Sequence, residues 1–325
     1  MPKVLISDKM SPLAEQVFKD RGIEVDVKTG MTPEELIACI GDYDGLAVRS
    51  STKAKTEIIE AATNLKVIGR AGIGVDNIDV ATATSRGVLV MNTPFGNSTT
   101  TAEHAISMIL ALARDIPQAN ASTHLGKWEK SRFMGMEVTG KTLGVIGCGN
   151  IGSIVADRAQ GLKMKVVGYD PYLSPDRAKK LGIEKLELDD LLARADIITL
   201  HTPLTDATKD IINADSLAKT KKGVKIINCA RGGLVVEADL KKAIDDGHVS
   251  GAALDVLSAE PATESIFFGM ENGIITPHLG AATEEAQEKV AEQVAELRTE
   301  RQGRRGSLAW RFLKEARANA GRPAV

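Results

Sequence analysis

Gly147, Gly149 and Gly152 fall in the run G-V-I-G-C-G-N-I-G, and Asp170 closes the next apolar run, V-V-G-Y-D. A G-x-G-x-x-G turn between a short apolar strand (143–146) and a helix (151–160) is suited to a dinucleotide pyrophosphate. The first glycine permits a tight turn, the second lets a phosphate approach the backbone, and the third lets the helix pack closely on the strand. The helix N-terminus presents N–H groups and a positive dipole end to the phosphates. Asp170 stands 18 residues beyond Gly152, where an acid binds adenosine ribose hydroxyls. Its charge repels a 2′-phosphate, and Pro171 and Tyr172 add no cation, so these residues predict NAD over NADP.

Ligands of an open parallel sheet sit at the carboxyl ends of its strands. Three such ends carry polar residues: Arg231 in N-C-A-R-G-G, Asp255 and Glu260 in L-D-V-L-S-A-E-P, and His278 in I-T-P-H-L-G-A. Hydride transfer to a keto acid needs a cation on the carboxylate and carbonyl, which a guanidinium supplies with a planar fork. It needs a proton donor effective near neutral pH, which imidazole supplies. A carboxylate on the far ring nitrogen fixes the tautomer. Arg231, His278 and Glu260 are the candidates, in that order. His201, with Thr202 and Pro203 after a further strand, is expected to line the nucleotide groove. His104 lies on an apolar helix and reads as structural, while His124 and His248 read as solvent-facing.

These residues need a framework, and strands alternate with helical stretches along two successive stretches of the chain. The first has strands at 3–7, 24–28, 45–48, 67–70 and 88–91, with helices at 12–20, 33–40 and 55–62. The second has strands at 143–146, 165–169, 197–200, 225–229, 251–256 and 274–276. The pattern predicts an α/β protein of two doubly wound, parallel-sheet, Rossmann-like lobes with a cleft between them. The fingerprint opens the second set, so the dinucleotide lobe is expected over 98–282. A helix read at 284–298 is expected to rejoin the first lobe, making a discontinuous substrate-binding domain of 1–97 plus 283–325. The linking helix at 100–114 is apolar on most sides and must be buried; a subunit interface through the 98–135 region, in a homodimer or homotetramer, is the expectation.

Composition excludes several classes. A formal net charge of −2 gives no global attraction for nucleic acid or an anionic membrane. The three cysteines, Cys39, Cys148 and Cys229, have neither zinc nor disulfide spacing, and no metal site is expected. The N-terminus reads directly into a strand without a signal-peptide pattern, and no apolar run reaches membrane-spanning length. A cytoplasmic protein is expected. The basic stretch from 301 reads as a solvated tail, with weak helical periodicity over 308–318.

The segments G-R-A-G-I-G-V-D-N-I-D, M-N-T-P-F-G-N-S, G-K-W-E-K-S-R-F-M-G, N-C-A-R-G-G and A-A-L-D-V, in this order, resemble the D-isomer-specific 2-hydroxyacid dehydrogenases. The resemblance runs from Lys3 to about Ala295. It implies His278 as proton donor, Glu260 as its support and Arg231 as a substrate ligand. It implies contacts to NAD at Ile73, Asn150, Ile151, Asp170, Thr202, Cys229, Asp255, Gly280 and Ala281. Arg49 and Arg70, beside Ser50 and Gly72 at strand ends of the first lobe, are placed to bind a phosphate. The implied reaction is oxidation of 3-phospho-D-glycerate to 3-phosphohydroxypyruvate, the first step of serine synthesis. Alternatives are a glyoxylate or hydroxypyruvate reductase, and an NAD-sensing, corepressor-like binding protein. Two departures stand out. Lys130 occupies a position where the family has arginine near a neighbouring subunit's cleft, keeping charge but losing the bidentate fork. The family continues differently after the returning helix, often into a serine-sensing domain, so a short form without serine feedback is expected.

Overall fold

The computed structural model describes residues 1–296, which form two compact units, Met1–Asn97 with the segment from Thr283, and Ser98–Ala282. The tail reading from 301 and the end of the returning helix lie outside the described residues.

In the first unit, β1 (Lys3–Ile6), β2 (Glu24–Val27), β3 (Gly45–Val48), β4 (Val67–Arg70) and β5 (Leu89–Asn92) form one sheet in the order β2-β1-β3-β4-β5. Every pairing is parallel. All four residues of β3 are buried, as expected of a central parallel strand covered on both faces. The crossovers contain α1 (Leu13–Asp20), α2 (Pro33–Ile40), α3 (Thr56–Ala61) and α4 (Val80–Ser85). A capping box at Thr32 and Glu35, followed by Pro33 at the first helical position, starts α2 sharply.

The second unit opens with α5 (Ser98–Ala113) and α6 (Ile116–His124). Its strands are β6 (Thr142–Ile146), β7 (Lys165–Tyr169), β8 (Glu184–Lys185), β9 (Ile197–Leu200), β10 (Val224–Asn228), β11 (Val249–Leu254) and β12 (Gly273–Ile275). They lie in the order β12-β11-β10-β9-β6-β7-β8, again all parallel. The connecting helices are α7 (Asn150–Gly161), α8 (Pro175–Lys180), α9 (Leu188–Arg194), α10 (Ala214–Ala218) and α11 (Glu237–Asp245). Chain order reverses between β6 and β9, and ligands of such sheets bind at that switch point. α12 (Glu284–Glu296) belongs to the first unit, where Ala291 and Ala295 pack with Phe18 and Ala47. Gly69 makes room for it: a Cβ there would meet Val294 Cγ2 at 2.9 Å.

The structure refines the reading of α5, half of whose residues are buried. Its apolarity is used inside its own unit, where Ala102, Ala105, Met108, Ile109 and Leu112 share a core with Val155, Ala156 and Ala159 of α7. Elements not placed in the sequence reading are α4, α6, α8, α9, α10, α11 and β8. His248 is also corrected: it is half-buried, and its Nε2 lies 3.0 Å from Thr220 Oγ1 and 2.9 Å from the Leu217 carbonyl.

Ile109→Ala should lower unfolding free energy by about 2–5 kcal/mol in urea titration, the cost of a cavity under β11 and α7. A loss below about 1 kcal/mol would place α5 outside the core.

Candidate active site

The glycine turn sits at the switch point. Gly147 follows β6 with φ of 92°, and a Cβ on it would meet the His201 carbonyl carbon and oxygen at 2.7 Å and Thr202 N at 2.8 Å. Two loops therefore meet backbone to backbone there, and no side chain fits between them. A Cβ on Gly152 would strike the Gly147 carbonyl oxygen at 2.0 Å, so α7 packs directly under the turn. Gly149 differs, because a Cβ there would meet nothing within 4 Å. The protein's own packing requires glycine at 147 and 152 and leaves open space above 149. Asn150 is exposed and Ile151 half-buried at the start of α7. Asp170 is held at both oxygens: Oδ2 accepts the Cys148 N–H at 2.9 Å and Oδ1 the Tyr172 N–H at 2.8 Å. Each oxygen keeps a lone pair for another donor.

His201 places its Nε2 2.9 Å from the Thr199 hydroxyl. Burial of the ring lowers its pKa to about 4, so it is neutral near pH 7. Its exposed neighbour Pro203 and half-buried Thr202 complete the turn. Cys148 and Cys229 are buried; burial first, then nearby carboxylates, pushes the Cys148 thiol up to about 12 and raises Cys229 as well. Neither thiol is a nucleophile near neutral pH.

The loops after β10, β11 and β12 bring polar groups together. Glu260 Oε2 lies 2.7 Å from His278 Nδ1, and Glu260 Oε1 accepts the Leu257 N–H at 3.1 Å. Burial acts to raise the Glu260 carboxyl, but hydrogen bonding and attraction to His278 outweigh it and hold it below the ordinary value. Glu260 is therefore a carboxylate near neutral pH and only accepts, so Nδ1 carries the hydrogen and Nε2 is left for proton exchange. The His278 side chain is 47% exposed, open to a ligand. Arg231 precedes a 3-10 turn, Gly232–Leu234. A Cβ on Gly232 would meet the Leu257 carbonyl oxygen at 2.0 Å, so the Arg231 turn is pressed onto the Glu260 turn.

Asp255 lies beneath this edge with a fully buried side chain. It accepts hydrogen bonds from Thr276 Oγ1 (2.6 Å), Leu279 N (2.7 Å) and Gly280 N (2.8 Å). Burial favours its neutral form, yet the bonds from His104, Thr276 and Leu279 prevail and keep its pKa below the ordinary value. His278 adopts a left-handed backbone, φ 55°, which costs a non-glycine residue roughly 1–2 kcal/mol and persists where surroundings over-determine it. Gly280 is buried and Ala281 half-buried just beyond.

In the first unit, Arg49 follows β3 and Arg70 ends β4. The backbone N–H of Arg49 donates to Asp8 Oδ2 (2.6 Å), and its guanidinium Nη1 to the Lys9 carbonyl (3.2 Å). Asp8 also accepts from Thr52 N and Thr52 Oγ1, while Asn77 Nδ2 donates to the carbonyls of Arg49 and Thr52. Ser50 is exposed at the loop tip. Gly72, φ 147°, lies under the Arg70 guanidinium, since a Cβ would stand 1.8 Å from Arg70 Nη1. The adjacent Ile73 carbonyl accepts from Asn92 Nδ2 at 2.6 Å. Arg49, Ser50, Arg70, Gly72 and Ile73 thus share one end of the first sheet. Lys130 belongs to the second unit, exposed after α6. Sequence reasoning missed Asp8 and Asn77, and it read His104 as structural without its partner Asp255. The one signal for Asp8 was an acid directly after a strand, in V-L-I-S-D. Among the described residues no group of His, Cys, Asp and Glu is arranged to hold a metal ion.

The profile of the D-isomer specific 2-hydroxyacid dehydrogenase NAD binding domain matches residues 106–280. D-3-phosphoglycerate dehydrogenase of Synechocystis is 50% identical over 296 residues, covering 91% of this chain and 53% of that protein. The enzyme of the same name from Homo sapiens is 48% identical over 293 residues, covering 90% and 55%. The chain thus spans about half the length of these relatives. Among solved structures, the TT0316 protein from Thermus thermophilus superposes with a TM-score of 0.83 at 34% identity, over 90% of this chain and 94% of that one. The parallel sheets, the glycine turn at the switch point and the matched profile agree, and the chain belongs to the D-isomer-specific 2-hydroxyacid dehydrogenases.

Proposed function

We propose that this chain is an NAD-dependent dehydrogenase that oxidises 3-phospho-D-glycerate to 3-phosphohydroxypyruvate, the entry step of serine synthesis. The observation that carries the reading is the 2.7 Å contact between Glu260 and His278 on the NAD-binding unit. The half-length match to D-3-phosphoglycerate dehydrogenases supports the choice of substrate.

The residues present fit NAD. Open space lies over Gly149, Asp170 keeps lone pairs for ribose hydroxyls, and its charge disfavours a 2′-phosphate. Asn150, Ile151 and Gly152 would sit under the pyrophosphate. Thr202, Pro203, Cys229, Asp255, Gly280, Ala281 and Ile73 are assigned to the rest of the cofactor, with His201 backing the groove. When bound, NAD accepts hydride from C2 of the substrate. In that step His278 Nε2 takes the hydroxyl proton while Glu260 stabilises the charged ring. Arg231 holds the carboxylate and the developing carbonyl. Arg49 and Arg70 are assigned to the phosphate with Ser50 and Gly72, and Lys130 to the phosphate of a neighbouring subunit's substrate. The first unit is the substrate-binding domain in this reading, and the second the NAD-binding domain.

A homodimer or homotetramer is proposed through the 98–135 region. Ile116, Leu125, Trp128 and Met134 support it, all large apolar residues exposed by half or more. The described residues include no helix long and apolar enough to cross a membrane. Free Cys39, Cys148 and Cys229 accord with a cytoplasmic site of action.

The reduction direction gives the direct assay. NADH absorbance should fall with phosphohydroxypyruvate, at a kcat/KM well above those for hydroxypyruvate and glyoxylate; parity among the three would point to a plain 2-keto-acid reductase. His278→Ala should cut kcat by a factor on the order of 10² to 10⁴, and a wild-type rate in that variant refutes its role. Arg70→Ala should raise KM for phosphohydroxypyruvate by roughly 10–100-fold, the loss of a charge-assisted contact, and leave Kd for NADH unchanged; an unmoved KM removes Arg70 from the site. Gly149→Ala should keep the wild-type Tm and weaken NADH binding by about tenfold or more, because the new methyl occupies only ligand space. Full NADH affinity in that variant would move the pyrophosphate elsewhere.

A further inference from the structure

An imidazole–carboxylate pair lies beneath the loop that carries His278. His104 projects from α5 with its side chain 19% exposed, and its Nε2 is 3.2 Å from Oδ1 of the buried Asp255. Thr276 Oγ1 gives its one hydrogen to Asp255 Oδ1 and lies 3.4 Å from His104 Nε2, where it offers only a lone pair. The Asp255 carboxylate likewise only accepts. Nε2 of His104 therefore carries a hydrogen in either charge state of the ring and directs it at these two oxygens.

Asp255 is what seats the loop. Its carboxylate takes the N–H groups of Leu279 and Gly280, and its backbone carbonyl takes that of His278 at 2.9 Å. α5 forms the floor, since a Cβ on Gly280 would meet Asp255 Oδ2 at 3.2 Å and Thr101 Cγ2 at 3.3 Å. A buried carboxylate that loses a donor is left with uncompensated charge. It then takes up water or a proton, and either change weakens its hold on the two amides.

We propose that His104 is a positioning residue for His278: its Nε2–H fixes the Asp255 carboxylate, which fixes the backbone that aims His278. The kinetic part of this rests on the reading of His278 as the proton-exchange group.

Amide hydrogen exchange on the cofactor-free protein, comparing wild type, His104→Leu and His104→Gln, tests the pair without any reaction. Exchange at Leu279 and Gly280 should quicken by about tenfold or more in His104→Leu, while the amides of β6 keep their protection. His104→Gln, whose side-chain N–H can reach the same carboxylate, should restore protection. In phosphohydroxypyruvate reduction kcat should fall by about tenfold in His104→Leu, with KM little changed, and recover in His104→Gln. Wild-type protection of both amides in His104→Leu overturns the proposal. So does equal loss in His104→Gln, or a loosened loop with undiminished kcat. A wild-type protein that reduces no 2-keto acid defeats the proposed function instead, and the exchange comparison then decides whether the pair holds the loop.

Discussion

Glu260 and His278 lie on different loops, and their hydrogen bond exists because β11 and β12 run parallel and end side by side. Parallel pairing sends every strand's carboxyl end to one edge. The same constraint puts the Arg231 turn, after β10, against the Glu260 turn, and the Gly147 turn, after β6, against His201, after β9. A charged cluster at that edge requires no long excursions of chain; each residue needs only to follow its strand. The cost is that short loops must be held in fixed shapes, some of them strained, as at His278.

Carboxylates provide that hold, and the device recurs. Asp8 follows β1 and takes two amides and a hydroxyl from the Arg49–Thr52 loop of neighbouring β3. Asp170 follows β7 and takes an amide from the glycine turn of neighbouring β6. Asp255 follows β11 and takes two amides and a hydroxyl from the loop of neighbouring β12. In each case an acid at one strand end organises the loop of the adjacent strand. Charge-assisted bonds to backbone amides are roughly twice as strong as neutral ones, and they offset the desolvation of a partly or fully buried carboxylate. Asp8 and Asp255 shape loops that carry arginine and histidine, so negative charge under the surface accompanies positive charge upon it.

The central strands were legible because buried parallel strands read as unbroken apolar runs between glycine and polar loops. β3, β4, β7 and β9 were read with their observed bounds for this reason. β8 was not, because it is two exposed residues, Glu184 and Lys185. α6 was not, because I-P-Q-A-N-A-S-T-H has little apolar periodicity and several weak helix formers. α5, apolar on most sides, had to be buried, but its sequence did not say by what; α7 covers part of it. At the site, Glu260 and His278 were visible as polar residues at strand ends. Asp8 and His104 were not, since their meaning lies in contacts to residues far along the chain, Arg49 and Thr52 for one, Asp255 and Thr276 for the other.

α5 ties these parts together in a way that neither the glycine turn nor the histidine loop suggests alone. Ala102, Ala105 and Ile109 share a core with Val155 and Ala159 of α7, the helix that begins at the glycine turn. Thr101 and His104, on the same helix, lie under Gly280 and Asp255. Residues three and four apart on a helix are neighbours on one face. One helix thereby packs against both the helix of the glycine turn, α7, and the Asp255 carboxylate under the His278 loop. Donor and acceptor in hydride transfer must be aligned to a fraction of an ångström. A shared floor beneath both loops is a direct way for a fold of short connections to meet that tolerance in the proposed reaction.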